Sequence, residues 1–398
     1  MFRIALAQIL LVIILCSGCG TSAVTEEDLM QGVDSISRIL VPDSRENLLS
    51  VEIKRLEGNE FVISGETNLP EAGKAILNYL AISGVRYIDS LQVLPDTLII
   101  KKKWGLVTVS VCNMKKTPSY ASELVSQAVM GTPVKLFKKD DGWLLCQTPD
   151  HYLGWINESS IEELSDEEIE SWRNSKRLIF TERSGEIYRT ETYTEPVSDI
   201  VAGSIVADGG SRSGKSYITL PDGRKGNIGT ELVCDFDKWC SEIKPEPDNL
   251  IRFARTFLGR SYLWGGTSAY AMDCSGFVKT VYFSGGIILS RDASQQFLHG
   301  LEVDISSSID SLKSGDLVFF GSLNRKGEKR ITHVGIYIGD SEVIHSSGMV
   351  RINSLDPGRS NYSEYLGKRI MGARRIIGTG SEKGVEMVAD NDWYRTQK

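Results

Sequence analysis

The chain has 398 residues, of which 41% are hydrophobic and 24% are charged, and its formal net charge is −7. This length exceeds the ~250–300 residues at which a single core usually stops growing, so we expect several domains. The composition is that of a folded protein, and the mild negative charge gives no indication of nucleic-acid binding.

The N-terminus has the pattern of an export signal. Arg3 precedes a short apolar run from Ile4 to Leu15, which is too short to span a bilayer but suits the core of a signal peptide. Small residues then precede Cys19, which resembles a bacterial lipoprotein signal over residues 1–19, except that Cys16 stands where leucine is usual. We therefore predict an exported protein that faces the periplasm and is anchored to a membrane by lipid on Cys19, with ordinary secretion as the alternative.

Five cysteines lie beyond this signal, at positions Cys112, Cys146, Cys234, Cys240 and Cys274. Because five is odd, at least one is unpaired, and an unpaired thiol in an oxidising compartment calls for a chemical reason. Cys234 and Cys240 have no histidine nearby, so a local disulfide or two packed thiols is favoured over a zinc site. We predict neither a metal nor a cofactor.

A tether and three small modules are predicted before the C-terminal domain. Residues 20–45 fit a tether or one short helix, and 46–103 read as a small α+β domain with a helix over 70–80. The latter pattern weakly resembles the BON domains of exported bacterial proteins and indicates a spacer or docking module. Residues 104–163 and 178–240 are rich in short strands and turns, which indicates two small β-barrels.

The two barrel segments share an internal correspondence, in which an apolar pair, a glycine-containing turn and a closing strand recur in the same order. They resemble the bacterial Src-homology-three barrels that accompany cell-wall hydrolases, although the second copy lacks the closing tryptophan that the first has at Trp155. A C-terminal domain over 245–380 and a tail over 381–398 follow.

Cys274 is the best candidate for a nucleophile. A packing helix is predicted from Asp248, its N-cap candidate, to Leu258, and a second helix begins at Cys274. Free N–H groups and the positive end of the helix dipole stabilise a thiolate, so we expect this position to lower the pKa of the thiol. A thiolate is the species that attacks a carbonyl carbon.

Two of the four histidines lie on short predicted strands downstream of this cysteine. His333 opens one strand and His345 closes the next, so neighbouring strands would bring the two imidazoles side by side. His333 would then take the thiol proton, and His345 would hold the other ring nitrogen in the required tautomer. His151 and His299 lack such a setting, and we interpret them as surface residues.

Five ordered motifs together resemble the NlpC-type, papain-like cell-wall cysteine peptidases over about 250–376. They are Tyr262-Leu263-Trp264-Gly265-Gly266, Asp273-Cys274-Ser275-Gly276-Phe277, Gly315-Asp316-Leu317, His333-Val334-Gly335-Ile336-Tyr337 and His345-Ser346-Ser347. The resemblance implies a papain-like α+β domain that cuts stem peptides between γ-D-glutamate and the next diamino acid, usually meso-diaminopimelate. It also implies Cys274 as nucleophile, His333 as base and His345 as orienter.

The same resemblance implies residues that bind substrate. The Tyr262 hydroxyl would assist the oxyanion or the substrate, a packed tyrosine being the alternative. Ser275 would contact the glutamyl carboxylate unless it is a helix cap. The segment around Asp292 resembles members that pair this aspartate with a free N-terminal L-alanine ammonium. Those members close the far end of the cleft with the first barrel, through a tyrosine matching Tyr152 and a glutamate that we place at Glu123, where a helix-surface residue is the alternative.

The sequence therefore predicts a γ-D-glutamyl-L-diamino acid endopeptidase that acts on sugar-free muropeptides, as in murein recycling. Its partners would be an L-Ala-γ-D-Glu-diamino acid stem peptide and, through the lipid anchor, a membrane, with no nucleic acid. Two alternatives stay open at this point, a general hydrolase of intact peptidoglycan and a non-catalytic wall-binding lipoprotein.

Overall fold

The computed structural model describes residues 24–192 and 194–395, so the predicted signal and Cys19 lie outside the described residues. The chain divides into two units. Among the described residues, the first comprises 24–101, 136–139 and 151–153, and the second comprises 102–135, 140–150, 154–192 and 194–395. No helix among the described residues is long and apolar enough to cross a membrane.

A small α+β domain occupies most of the first unit. Its elements are α1 (Glu26–Leu40), β1 (Leu49–Arg55), β2 (Glu60–Thr67), α2 (Pro70–Ile82) and β3 (Arg86–Val93). The sheet has the order β1-β2-β3, with β1 antiparallel to β2 and β2 parallel to β3, because α2 provides the crossover.

Helix α1 begins at a capping box, in which Thr25 Oγ1 accepts a hydrogen bond from the Asp28 N–H at 3.1 Å. Its apolar face contributes Leu29, Val33 and Ile36 to the core formed with Phe61 and the rest of this domain. Of the two forms expected for 20–45, a tether or one short helix, the structure shows the helix, and burial of its apolar face explains why.

The first barrel is one seven-stranded sheet with the order β10-β4-β7-β8-β9-β5-β6. Its strands are β4 (Trp104–Val107), β5 (Val111–Lys115), β6 (Leu124–Val129), β7 (Pro133–Asp140), β8 (Trp143–Gln147), β9 (Leu153–Asn157) and β10 (Ile161–Leu164). Helix α3 (Asp166–Asn174) then connects the two barrels.

The second barrel is also a seven-stranded sheet, with the order β13-β12-β16-β15-β14-β11-β17. Its strands are β11 (Arg177–Phe180), β12 (Ser184–Tyr188), β13 (Pro196–Val201), β14 (Ile205–Arg212), β15 (Lys215–Thr219), β16 (Lys225–Gly229) and β17 (Val233–Asp235), followed by helix α4 (Phe236–Glu242). Met130 of the first barrel packs in the core of the second, and the Ile205 N–H donates to the Met130 carbonyl at 2.9 Å. Gly131 permits this approach, since a β-carbon there would lie 1.9 Å from the Ile205 oxygen.

The C-terminal domain is α+β, as expected. Its elements are α5 (Pro247–Arg255), α6 (Cys274–Ser284), β18 (Ile287–Leu289), α7 (Ala293–Gln296), β19 (Leu301–Val303), β20 (Leu317–Leu323), β21 (Lys329–Gly339), β22 (Glu342–Ser347), β23 (Met349–Ser354), α8 (Glu364–Gly367), β24 (Ile370–Arg375) and β25 (Val385–Met387). The six-stranded sheet has the order β19-β24-β20-β21-β22-β23, and α6 packs on β21 and β22.

Two boundaries in this domain differ from expectation. Helix α5 begins at Pro247 with Glu246 at the cap position, so the prediction of Asp248 as N-cap is wrong. Proline suits the first helical position because its missing N–H would have no partner there. A tail was expected from residue 381 onwards. Instead, the fold continues to residue 395, because β25 pairs with β18 and Tyr394 is buried.

Candidate active site

Cys274 is the first residue of α6, and its position is determined by the residue before it. The Asp273 carboxylate accepts hydrogen bonds from the Gly276 N–H at 2.7 Å and from the Gly265 N–H at 3.0 Å. One side chain thus caps the helix and holds the Gly265 turn against it. Gly276 is needed at this junction, since a β-carbon there would lie 2.0 Å from the Gly266 oxygen.

A buried arginine, which the sequence reasoning did not identify, supports this helix start. Arg291 is 1% exposed and donates to the two Asp273 oxygens at 3.1 and 2.5 Å. It also donates to Ser275 Oγ at 3.0 Å. Ser275 is buried and hydrogen-bonded within this network, and the helix cap is Asp273 rather than Ser275.

The structure brings His333 and His345 together on the adjacent strands β21 and β22. His333 Nε2 lies 2.9 Å from His345 Nδ1, and His345 Nε2 lies 3.0 Å from Asn353 Oδ1. Asn353 Nδ2 in turn donates to the Asn361 carbonyl at 3.0 Å. Asn353 was missed by sequence reasoning, although it stands on β23, the next strand after the two histidines.

The thiol of Cys274 lies against the strand that carries His333. The N–H groups of Val334, which follows His333, and of Ser275 are directed at the thiol and stabilise its charged form. Burial and the nearby Asp273 carboxylate nevertheless raise the pKa of Cys274 to about 12. The Ser275 N–H at the helix start lowers this pKa, as predicted, but burial outweighs it in the ligand-free protein, where the thiol is 8% exposed and loses its hydration.

Burial has the opposite effect on the histidines. Loss of hydration, together with the charge of His345, lowers the pKa of His333 to about 3. Burial also lowers the pKa of His345. At neutral pH the ligand-free site therefore holds a thiol and a neutral imidazole, and the imidazole is free to accept a proton.

Tyr262 lies beside the nucleophile. Burial raises the pKa of its hydroxyl above the usual range, and the neighbouring Cys274 and Asp273 add to the effect. The hydroxyl therefore stays protonated and can donate a hydrogen bond to a developing oxyanion. The Tyr262 N–H donates to the Gly348 carbonyl at 2.9 Å, which ties this loop to the turn after β22.

Asp292 directly follows Arg291 and precedes α7. Its carboxylate is 29% exposed and lies 3.9 Å from the Arg291 guanidinium, and its N–H donates to Gln295 Oε1 at 3.1 Å. Because Arg291 is bonded to both neighbours of Cys274, the backbone at Asp292 lies close to the start of α6.

Glu123 lies at the edge of the first barrel, before β6. Its Oε1 accepts a hydrogen bond from Trp264 Nε1 at 2.9 Å, and its Oε2 lies 3.5 Å from Lys116 Nζ. The structure thus brings Glu123 to the loop that carries Tyr262. Trp264 is 64% exposed, and the sequence analysis gave it no role beyond its place in the first motif.

Tyr152 is buried in the short segment 151–153, which belongs to the first unit. His151 and His299 are partly buried rather than surface-exposed. The cysteines at 112, 146, 234, 240 and 274 are all unpaired, so Cys234 and Cys240 form no disulfide. Residues 24–192 and 194–395 contain no cluster of three or more histidine, cysteine or acidic side chains placed to hold a metal.

A thiol at a helix start, with a neutral histidine on the strand packed against it and a second histidine behind, defines a papain-like cysteine peptidase. The sequence profile of the NlpC/P60 family matches residues 259–375, and that of the bacterial dipeptidyl-peptidase Sh3 domain matches 114–161. The chain belongs to the NlpC/P60 family of cell-wall peptidases, as its motifs predicted.

Named relatives agree with this assignment. A Bacillus cereus protein named gamma-D-glutamyl-L-lysine dipeptidyl-peptidase is 30% identical over 270 residues, which are 65% of this chain and 76% of that protein. Dipeptidyl-peptidase 6 of Lysinibacillus sphaericus is 25% identical over 277 residues, 67% of this chain and 97% of that protein. In fold, the chain resembles the crystal structure of an NlpC/P60 family protein from Bacillus cereus, with a TM-score of 0.58 and 24% identity over 68% of this chain and 99% of the other.

Proposed function

We propose that this chain is a dipeptidyl-peptidase that hydrolyses the bond between γ-D-glutamate and the following L-diamino acid in peptidoglycan stem peptides. Its substrates carry a free N-terminal L-alanine, and it releases L-Ala-γ-D-Glu, as in muropeptide recycling. The diamino acid proposed at the third position is meso-diaminopimelate. The hydrogen-bonded chain from His333 to Asn353 behind a helix-start thiol is the observation that carries the peptidase chemistry.

The geometry supports the following course of reaction. His333 takes the proton from Cys274 as the sulfur attacks the γ-carbonyl carbon of the glutamate. The Cys274 N–H and the Tyr262 hydroxyl stabilise the oxyanion. His333 then returns the proton to the departing amine, which leaves the L-Ala-γ-D-Glu acyl group on sulfur. Water, deprotonated by His333, releases the dipeptide and regenerates the thiol.

The requirement for a free amine rests on Asp292. The Asp292 carboxylate directly follows Arg291, which bonds to both neighbours of Cys274 and so holds this segment close to the proposed nucleophile. A carboxylate there suits the ammonium of the N-terminal alanine, which is the second residue before the scissile bond. Both named relatives are dipeptidyl-peptidases, which is consistent with recognition of a peptide N-terminus. Alanine in amide linkage, as in intact wall, carries no ammonium and would leave this carboxylate without its partner on substrate binding.

Mass spectrometry of the products tests this proposal. The full-length chain is incubated with L-Ala-γ-D-Glu-meso-diaminopimelate, with its N-acetylated form and with the L-lysine analogue, and Cys274→Ala serves as the inactive control. We expect L-Ala-γ-D-Glu from the free-amine peptide and none from the acetylated one. Equal cleavage of both would overturn the free-amine requirement, and cleavage of none would overturn the peptidase proposal.

The L-lysine analogue decides the third position, because the Bacillus cereus relative is named for L-lysine. A higher kcat/KM for the lysine peptide would overturn the proposed diaminopimelate preference. Asp292→Asn then isolates the amine contact. We expect a loss of about a hundredfold in kcat/KM on the free-amine peptide, since truncating one side of a charge pair costs roughly 2–5 kcal/mol.

We also propose that the chain is exported and anchored to a membrane by lipid on Cys19, facing the periplasm. The short apolar run and the small residues before Cys19 support this. Metabolic labelling with a tritiated fatty acid tests it, with Cys19→Ser as control. Label that persists in this variant would contradict lipidation at Cys19.

A further inference from the structure

The hydrogen bonds behind the two histidines determine which atom carries each proton. The Asn361 carbonyl is fixed by the Ser354 N–H, which donates to it at 3.0 Å, and it can only accept. The Asn353 side chain, also 3.0 Å away, must therefore present its NH₂ group to that carbonyl. The amide is thus oriented by the backbone, and its oxygen must face His345.

An amide oxygen can only accept, so His345 Nε2, 3.0 Å from it, must carry a hydrogen. His345 is 3% exposed, and burial together with the nearby Arg351 guanidinium favours its neutral form. A neutral imidazole with hydrogen on Nε2 has a lone pair on Nδ1. His345 therefore accepts through Nδ1.

The same reasoning continues to His333. Its Nε2 lies 2.9 Å from the accepting His345 Nδ1, so it must be the donor. Neutral His333 then has its lone pair on Nδ1, the ring nitrogen that is not engaged by His345. This nitrogen is the one left to take the proton of Cys274.

We propose that Asn353 is a positioning residue that selects the tautomers of His345 and His333 and so keeps the base of this cysteine peptidase in its proton-accepting form. The inference rests on the proposed peptidase function. Asn353 bonds to His345 and to the Asn361 carbonyl, and it acts on the base through His345. Asn353 is thus a fourth residue of the predicted site, after Cys274, His333 and His345. Its orientation is determined by the Asn361 backbone.

Removal of the amide oxygen has a specific chemical consequence. Without an acceptor for its Nε2 hydrogen, His345 is free to adopt the tautomer with hydrogen on Nδ1. It would then donate to His333 Nε2, which would place the hydrogen of His333 on Nδ1, towards Cys274. In that tautomer His333 has no lone pair for the thiol proton, and the first step fails.

Steady-state kinetics of Asn353→Ala and Asn353→Asp test the proposal on the free-amine peptide. For Asn353→Ala we expect kcat to fall about ten- to a hundredfold with KM little changed, which is typical of losing a partner that orients a functional histidine. Asn353→Asp keeps an accepting oxygen and should recover most of the rate. Asn249→Ala, at an exposed position of α5, is the matched control.

Nuclear magnetic resonance of ¹⁵N-labelled imidazoles provides a readout that does not depend on turnover. The chain has only four histidines, so Gln variants of each assign the signals. We expect hydrogen on Nε2 of both His333 and His345 in the unsubstituted protein. Hydrogen on Nδ1 of His345 in that protein would overturn the inference.

The two measurements separate the possible failures. Absence of turnover in the unsubstituted protein would count against the proposed function, while the tautomers would still be measured. Full activity of Asn353→Ala would overturn the inference and leave the peptidase intact. If Asn353→Ala does not fold, the tautomers of the unsubstituted protein and the rate of Asn353→Asp still decide the question.

Discussion

Arg291 forms a buried ion pair with Asp273, the residue that caps the helix beginning at Cys274, with its shorter hydrogen bond at 2.5 Å. Asp273 also accepts from the N–H groups of Gly276 and Gly265, so its carboxylate joins the nucleophile helix to the loop before it. The arginine compensates the charge that this arrangement buries. The position of Cys274 therefore depends on a residue outside the predicted catalytic set.

We predict that Arg291→Ala lowers the free energy of unfolding by about 3–5 kcal/mol, because it leaves the Asp273 carboxylate buried without its partner. Urea unfolding followed by tryptophan fluorescence measures the change. Arg325→Ala, at an exposed position between β20 and β21, is the control and should be neutral. An equally small effect of both substitutions would show that the ion pair contributes little.

The thiol of the ligand-free protein should be protonated at neutral pH. Burial and Asp273 raise the pKa of Cys274 to about 12, so its charged form should appear only in alkaline solution. The difference in ultraviolet thiolate absorbance between the unsubstituted protein and Cys274→Ala, followed against pH, measures this. A thiolate step between about pH 5 and 8, the range in which histidine pairs titrate, would contradict the prediction.

His333 should make the fold sensitive to acid. Its folded-state pKa of about 3 lies below the ordinary histidine value of 6.5, so in acid the unfolded state binds a proton that the folded state does not. The stability that His333 contributes is therefore fully present above the unfolded pKa of 6.5 and declines as the pH falls from there towards about 3.

His333→Gln removes this titration. The free energy of unfolding of the variant, relative to that of the unsubstituted protein, should rise as the pH is lowered through this window. Urea unfolding at several pH values measures the difference. A difference that does not change with pH would show that the imidazole titrates alike in the folded and unfolded states.

Substitutions of Glu123 should distinguish two roles for this residue. If Glu123 positions Trp264, Glu123→Ala should raise KM several-fold, since one hydrogen bond contributes about 0.5–1.5 kcal/mol. Glu123→Gln keeps an accepting oxygen and should then change KM little. If it binds a substrate charge, both variants should be equally impaired. We predict the first pattern from the 2.9 Å contact to Trp264 Nε1.

Local patterns in the sequence were sufficient to predict much of the site. The helix start at Cys274 and the strands of His333 and His345 are visible as short-range periodicity, and the helix begins where it was expected. Both histidines lie on neighbouring strands, as predicted, but inside them rather than at their ends. The strand of His333 already begins at Lys329, and that of His345 continues to Ser347. Asn353 and Arg291 were not predicted, because nothing in their own neighbourhoods marks them. Their roles arise from contacts with residues distant in the chain, such as Arg291 with Asp273, 18 positions away.

The sequence by itself determined the family, because the motifs that identify it depend on residue type, order and local spacing. From the same patterns it predicted the separate domains and the roles of Cys274, His333 and His345. The tertiary structure alone decided the protonation of the site. The depth at which Cys274 and His333 are buried sets the direction of their pKa shifts, and it outweighs the helix start that the sequence displays. Burial and tautomer both depend on what distant segments bring to a side chain, and a one-dimensional pattern does not encode them.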